Sequence, residues 1–277
     1  MFTHVVEYVH AHVHRFGEEN HMGKIITVIN EKGGIGKTSC AFNIAWELSR
    51  KKKVLILDMD GQRANITFFA NIEKRDDTLT IFHALMTGAD INDAIEPVAG
   101  RKSLFIVPAT SPVSSLTETA KISRMRKVVD QIRDAYDYII IDVNPTPNWS
   151  HVLALSCSDY ALIPMLPDIA SMEANNGIIE TVEEIRGTTN PGLKVLGLVF
   201  NKYNSRTNLS KQVYQVAEAT AQQLNTRVMK STIRNAVALS ECVYAHVGIT
   251  DYAPSSPAAE DVRNLVKEIE REVRKNG

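Results

Sequence analysis

A doubly wound α/β fold, a single mostly parallel sheet with helices on both faces, is the architecture this sequence predicts. Three observations lead there. From Lys24 onward, short β-rich runs alternate with longer helical patterns, the order that builds strand–helix–strand crossovers. Several of those runs are almost continuously apolar, such as Val54-Leu55-Ile56-Leu57 and Ile139-Ile140-Ile141. Strands of that kind are buried on both faces, as in a parallel sheet covered by helices. A glycine-rich loop joins the first run to the first helical stretch, and ligands in such folds bind beyond the carboxyl ends of the strands.

The expected strands are Ile25–Asn30, Val54–Asp58, Leu104–Pro108, Tyr138–Asp142, Ala161–Pro164 and Val195–Asn201. The expected helices are Thr38–Arg50, Ser114–Ala135, Ser171–Arg186 and Asn208–Leu224. A loop over Tyr252–Pro257 precedes a last helix opened by Pro257, with Val262, Leu265, Val266, Ile269 and Val273 on one face. Its polar face carries five basic and five acidic residues between Glu260 and Lys275. That mixture suits docking on a core better than lying on anionic lipid.

The 277 residues show no internal repeat, low-complexity tract or linker, so 22–277 reads as one large α/β domain. The first 21 residues differ in character. They hold five of the eight histidines, three of them alternating at His10, His12 and His14. Such a row could bind a metal. The simpler reading is a tail ahead of Met22 that is not part of the fold, and it lacks the apolar core and cleavage site of a signal peptide.

Composition excludes several classes. Hydrophobic residues make up 44% and charged residues 23%, with a net charge of −1, the balance of an ordinary globule. Cys40, Cys157 and Cys242 are odd in number and form no C-x-x-C pair, which argues against a disulfide framework or a zinc site and suits the reducing cytoplasm. No apolar run approaches the roughly 20 residues that span a bilayer.

The strongest chemical signal is Lys32-Gly33-Gly34-Ile35-Gly36-Lys37-Thr38-Ser39. It follows a strand and opens a helix, the context that a phosphate-binding P-loop needs. Its glycines let successive backbone N–H groups point into one concavity, and the helix N-terminus adds its positive end. Lys37 is suited to neutralise β- and γ-phosphates, the Thr38 hydroxyl to sit on Mg²⁺, and Ser39 to bond the α-phosphate. The strict pattern G-x-x-x-x-G-K-[ST] is not met, because Glu31 stands at the first glycine position and a lysine, Lys32, lies inside the loop.

That K-G-G-x-G-K-[ST] pattern resembles the deviant Walker A ATPases, the group that includes ParA-type partition proteins and MinD. The resemblance runs from about Met22 to the C-terminus. It implies ATP and Mg²⁺ as ligands, and a role for Lys32 in reaching across a nucleotide-sandwich dimer to the partner's phosphates. Asp58-Met59-Asp60-Gly61-Gln62 looks like the family's D-x-D-P-Q segment. By resemblance Asp60 positions the attacking water and Asp58 helps hold Mg²⁺ or the loop; Gly61 stands where the family has proline. Tyr138–Asp142 looks like the Walker B strand, with Asp142 binding a Mg²⁺-bound water and Asn144 at the first of two usual prolines. Asn201, in Val199-Phe200-Asn201-Lys202, resembles the strand-end Asn that contacts adenine, and Gly248–Pro254 resembles the family's late loop.

Among the branches, the ParA type fits best. Gln62 follows the Asp pair as it does there, no detachable membrane helix of the MinD kind follows Arg274, and the cysteines do not match a cluster-binding reductase. From Asn201 to Ser240 the basic residues Lys202, Arg206, Lys211, Arg227, Lys230 and Arg234 face one acid, Glu218. Such a block binds phosphates by counterion release, and without an aromatic ladder it suits duplex backbone better than single strands. The expectation is a slow, partner-stimulated ATP hydrolase, a homodimer when ATP-bound. It would grip duplex DNA nonspecifically, associate with the nucleoid and answer to a ParB-like partner, with no membrane involved. The alternative is a MinD-like or cargo-positioning protein with little hydrolysis.

Overall fold

A computed structural model of the chain describes residues 22–62, 65–203 and 208–276, with side chains except at 169–176 and 208–212. The histidine-containing tail and Arg206 lie outside the described residues, and so does the side chain of Lys211.

In chain order the elements are β1 (Lys24–Val28), α1 (Lys37–Leu48), β2 (Val54–Met59), α2 (Ile66–Phe69), α3 (Ile81–Met86), β3 (Glu96–Pro97), β4 (Leu104–Val107), α4 (Ile122–Arg133) and β5 (Tyr138–Val143). There follow α5 (Trp149–Cys157), β6 (Tyr160–Met165), α6 (Ile169–Thr188), β7 (Lys194–Tyr203), α7 (Asn208–Gln223), β8 (Ile233–Arg234), α8 (Ala238–Tyr244), α9 (Ile249–Tyr252) and α10 (Pro257–Asn276). The sheet runs β3-β4-β2-β5-β1-β6-β7-β8. Only the short edge pair β3–β4 is antiparallel. The expected doubly wound fold is therefore the observed one.

Side-chain alternation divides the central strands between two cores. Ile25, Leu55, Leu57, Ile139 and Ile141 face the layer built by α4, α5, α6 and α7. Ile26, Val28, Val54, Ile56 and Ile140 face the opposite layer, built around α1 and α10. The apolar stripe of α10 is buried, from Val262 through Val273, as expected of a docked helix. Trp46 of α1 is 1% exposed; its ring lies 5.0 Å below the Arg101 guanidinium, and its indole N–H donates to Asp251 at 3.1 Å.

The strands match expectation to within a residue or two, and the helices differ more. The continuous helix expected over Ser114–Ala135 is replaced by a 3₁₀ turn at Ser111–Ser115 and by α4, which begins only at Ile122. In between, the hydroxyls of Thr117 and Thr119 bond each other at 2.9 Å, and the Ala120 carbonyl accepts the Trp149 indole N–H at 2.8 Å. Local hydroxyl bonding and a long-range acceptor replace the helical ladder there. α5 carries no clear apolar stripe, since its buried residues include Ser150, His151 and Ser156 beside Leu153 and Leu155. Periodicity therefore misses it. The late loop contains the single-turn helix α9.

Candidate nucleotide-binding site

The parallel order brings the carboxyl ends of β1, β2, β5 and β7 to one rim. The loop from Asn30 to Gly36 crosses that rim. Asn30 fixes its start: the amide donates to Pro164 O at 2.9 Å and its oxygen accepts from Lys32 N at 3.0 Å. Gly34 and Gly36 have φ of 74° and 84°, the left-handed region that costs glycine little. Ile35, between them, is fully buried and anchors the loop.

Lys37 is 6% exposed, and its ammonium donates back to Lys32 O at 3.0 Å. Burial lowers its pKa, and Asp142 and Asp60 oppose that shift. Thr38 and Ser39 sit half-buried in the first turn of α1. Register pairs Asp58 with Asp142 across β2 and β5. Both are fully buried. Asp142 is held well above the ordinary carboxyl range by burial and then by Asp58, with the Thr38 hydroxyl favouring the charged form. Neither Asp142 oxygen closes a hydrogen bond of its own.

Asp58 is committed differently. One oxygen accepts from Asp60 N at 2.8 Å; the other accepts from Thr67 N at 3.1 Å and from the Thr67 hydroxyl. Burial pushes its pKa up to about 7 against those bonds. The side chain thus ties β2 to the turn before α2. Asp60 is 6% exposed and accepts from Gln62 N at 3.0 Å. Burial raises its pKa, and the Gln62 N–H and then Lys37 oppose it. Gly61 has a steric reason. A Cβ there would lie 2.9 Å from both Thr110 O and Ser114 N, so the Ser111–Ser115 turn closes over the position that the family fills with proline.

Lys32 forms an ion pair with Asp168 at 2.7 Å, just past β6 in the same chain. Glu31 accepts from the Thr181 hydroxyl of α6 at 2.7 Å and lies where a Cβ on Gly177 would be. Neither anchor was legible in the sequence. Asn201, expected to contact adenine, is held at the phosphate loop: its amide donates to Ile35 O at 2.7 Å, its oxygen accepts from Lys202 N at 2.9 Å, and the amide packs directly on Gly36. It clasps the phosphate loop.

The basic block is largely engaged. Lys202 donates to Gly34 O at 3.1 Å. Arg227 pairs with Glu268 at 3.1 Å and Glu272 at 2.7 Å, and Arg234 holds Asp261 through two nitrogens at 2.6 and 2.8 Å. Among the described members, Lys202 and Lys230 are exposed and form no ion pair. The excess positive charge of 201–240 is thus offset by acids of α10.

Comparison with known proteins follows the same lines. A family model described as an AAA domain matches residues 23–195. The chain is 31% identical over 254 residues to the sporulation initiation inhibitor protein Soj of Bacillus subtilis, covering 90% of this chain and 98% of that protein. It is 30% identical over 254 residues to the chromosome partitioning protein ParA of Myxococcus xanthus, covering 90% and 88%. The chain belongs to the ParA/Soj family of partition ATPases. The fold of this ParA/Soj relative also superposes on an ATP complex of Cyanothece McdA, with a TM-score of 0.80 at 21% identity over 91% of this chain and 97% of that one. The family is one of P-loop ATPases, and the residues here suit Mg²⁺-ATP. Thr38 offers a hydroxyl, and beside it Asp142 offers two buried oxygens left without a well-formed hydrogen bond.

Proposed function

We propose that this chain is an ATP-driven partition switch. It binds Mg²⁺-ATP on the Lys32–Ser39 loop, dimerises across that loop, and grips duplex DNA without sequence preference. It lets go after slow hydrolysis stimulated by a ParB-like partner. The observation that carries the reading is the grouping of Lys37, Asp60 and the unsatisfied Asp142 at the start of α1. Residues 22–277 act as one unit, with 1–21 as a tail, in a cytoplasmic protein that joins the nucleoid when ATP-bound.

The backbone N–H groups of Gly33–Ser39 and the Lys37 ammonium hold the phosphates. Thr38 and Asp142 would hold Mg²⁺, with Asp58 buttressing them; the ion would supply neutralisation of phosphate charge. Asp60 orients a water. The water's oxygen bonds to the γ-phosphorus, the bond to the bridging oxygen breaks, ADP leaves with that electron pair, and both of the water's protons leave with the released phosphate. Lys32 leaves Asp168 and reaches the second copy's phosphates, where another cation offsets charge. DNA contact falls to Lys202, Lys230 and, once freed from α10, Arg227 and Arg234, with Arg206 and Lys211 as further candidates from the sequence.

A second reading has its own observation. The ion-paired Arg227 and Arg234 favour a cargo-positioning protein with little hydrolysis and little DNA affinity. No helix of the described residues is long and apolar enough to cross a membrane. The deciding experiment is a titration of arbitrary duplex DNA with ATP, ADP or no nucleotide, with light scattering for mass. ATP-dependent dimers that bind DNA, with both properties lost in Lys37→Ala, support the switch. No DNA binding in any state, together with sedimentation on vesicles or capture of a protein assembly, supports the second reading.

A further inference from the structure

Five buried polar atoms that close no hydrogen bond fall within ten residues: both oxygens of Asp142, Asn144 Oδ1, Ser150 Oγ and His151 Nδ1. Buried polar groups are almost always bonded, so such a concentration marks a wall built to receive something polar. The Asp142 oxygens belong to the metal side of the site. Asn144, Ser150 and His151 have no role yet.

Their placement is specific. β2 and β5 run in parallel register through Asp58–Asp142 and Met59–Val143, and Asp60 and Asn144 are the next residues beyond the carboxyl ends of those strands. Asn144 is 4% exposed and His151 is 1% exposed. Pro145 places the same turn against the phosphate loop: its Cβ lies 4.0 Å from a Cβ built on Gly33. The His151 ring sits within electrostatic reach of Glu31 and Lys37.

His151 Nε2 lies 2.8 Å from Asn144 O. A carbonyl only accepts, so Nε2 carries the proton and fixes the tautomer. That bond sets the backbone from which the Asn144 amide projects.

We infer that Asn144 holds the attacking water of ATP hydrolysis and that His151 positions Asn144. The inference rests on the ATPase reading and deepens it by sharing with Asp60 the work of orienting water. Asn144 Oδ1 accepts one O–H of the water, which leaves an oxygen lone pair for the γ-phosphorus. The P–O bond forms, the bond to the bridging oxygen breaks, ADP takes the electron pair, and both water protons leave with phosphate. Asn144 is then a catalytic residue and His151 a positioning residue, and the departure from proline at 144 has a chemical purpose.

The test is single-turnover phosphate release by the full chain, with the ATP dissociation constant measured separately. Asn144→Ala should slow release on the order of tenfold to a hundredfold while leaving ATP affinity within about twofold, the signature of a contact used only in the transition state. His151→Phe should slow release in the same way, and His151→Gln, which keeps a donor to the carbonyl, should recover most of it. Release by Asn144→Ala at the wild-type rate overturns the inference alone. So does a parallel fall in ATP affinity, which marks a structural role. Should His151→Phe fail to fold, Asn144→Ala decides. Wild-type protein that binds ATP but releases no phosphate overturns both the ATPase reading and this inference.

Discussion

Asn201→Ala separates two roles for one side chain. In the structure Asn201 bonds Ile35 O and Lys202 N and packs on Gly36. Alanine removes both bonds and leaves the buried Ile35 carbonyl without its donor. An unmade buried hydrogen bond costs about 1–3 kcal/mol. If the loop's conformation must be restored on binding, that cost appears in the affinity as a loss of roughly five- to 150-fold. The loss should be equal for ATP and GTP, because the clasp acts on the phosphate loop and not on the base. Titration of fluorescent ATP and GTP analogues against wild type and variant reads both numbers. Loss of ATP affinity with GTP affinity unchanged would refute the clasp and support an adenine contact.

Other substitutions test the surrounding structure. Glu268, 5% exposed, accepts from Lys230 N at 3.0 Å, Ser231 N at 2.8 Å and Arg227. Glu268→Ala should destabilise by about 3 kcal/mol, most of it from the backbone donors since Arg227 is partly screened, and lower the melting temperature by roughly 6–12 °C. Burial alone would raise the Glu268 pKa, but the Lys230 and Ser231 donors and Arg227 bring it below its ordinary value of 4.5. Its stabilisation is therefore complete above that value and is lost as pH falls through the folded-state pKa; melting curves across the acid range should be flatter in Glu268→Gln. Asp261→Asn releases Arg234 from an exposed pair worth about 0–1 kcal/mol. DNA affinity should rise up to about fivefold, and the salt slope should steepen by about one phosphate contact, both read by titration at several salt concentrations. Gly61→Pro, which installs the family's residue, should destabilise by about 1–3 kcal/mol through overpacking against Thr110 and Ser114. Thermal denaturation checks it, and unchanged stability would mean that the Ser111–Ser115 turn moves freely.

The parts that were legible in the sequence are those written in local pattern. Val54–Leu57 and Ile139–Ile141 announce buried parallel strands because both faces are apolar, and the Lys32–Ser39 loop announces itself because a phosphate cradle needs glycines between strand and helix. Partnerships across the fold leave no such trace. A window over 201–240 counts Arg227 and Arg234 as free cations, although their acids lie on a helix that folds back beside them from 27 to 45 residues further on. Asn201 gives the signal of a strand-end turn residue, and only the arrival of Ile35 beside it makes it a clasp. His151 has the signature of a lone histidine in an apolar helix, and nothing local tells that Asn144 lies beneath it.

The two indoles are placed to give different optical signals. Trp46 is sealed between α1 and the Arg101 guanidinium, so its emission should be blue and indifferent to what enters the rim. Trp149 is half-buried at the start of α5, five residues past Asn144, with its N–H on the Ala120 carbonyl. Any rearrangement of the 142–151 turn on nucleotide binding is transmitted to that ring. The molecule thus carries a silent fluorophore in its core and a responsive one at the mouth of its site, and subtracting the first, through Trp46→Phe, turns the native chain into its own binding gauge without an attached dye.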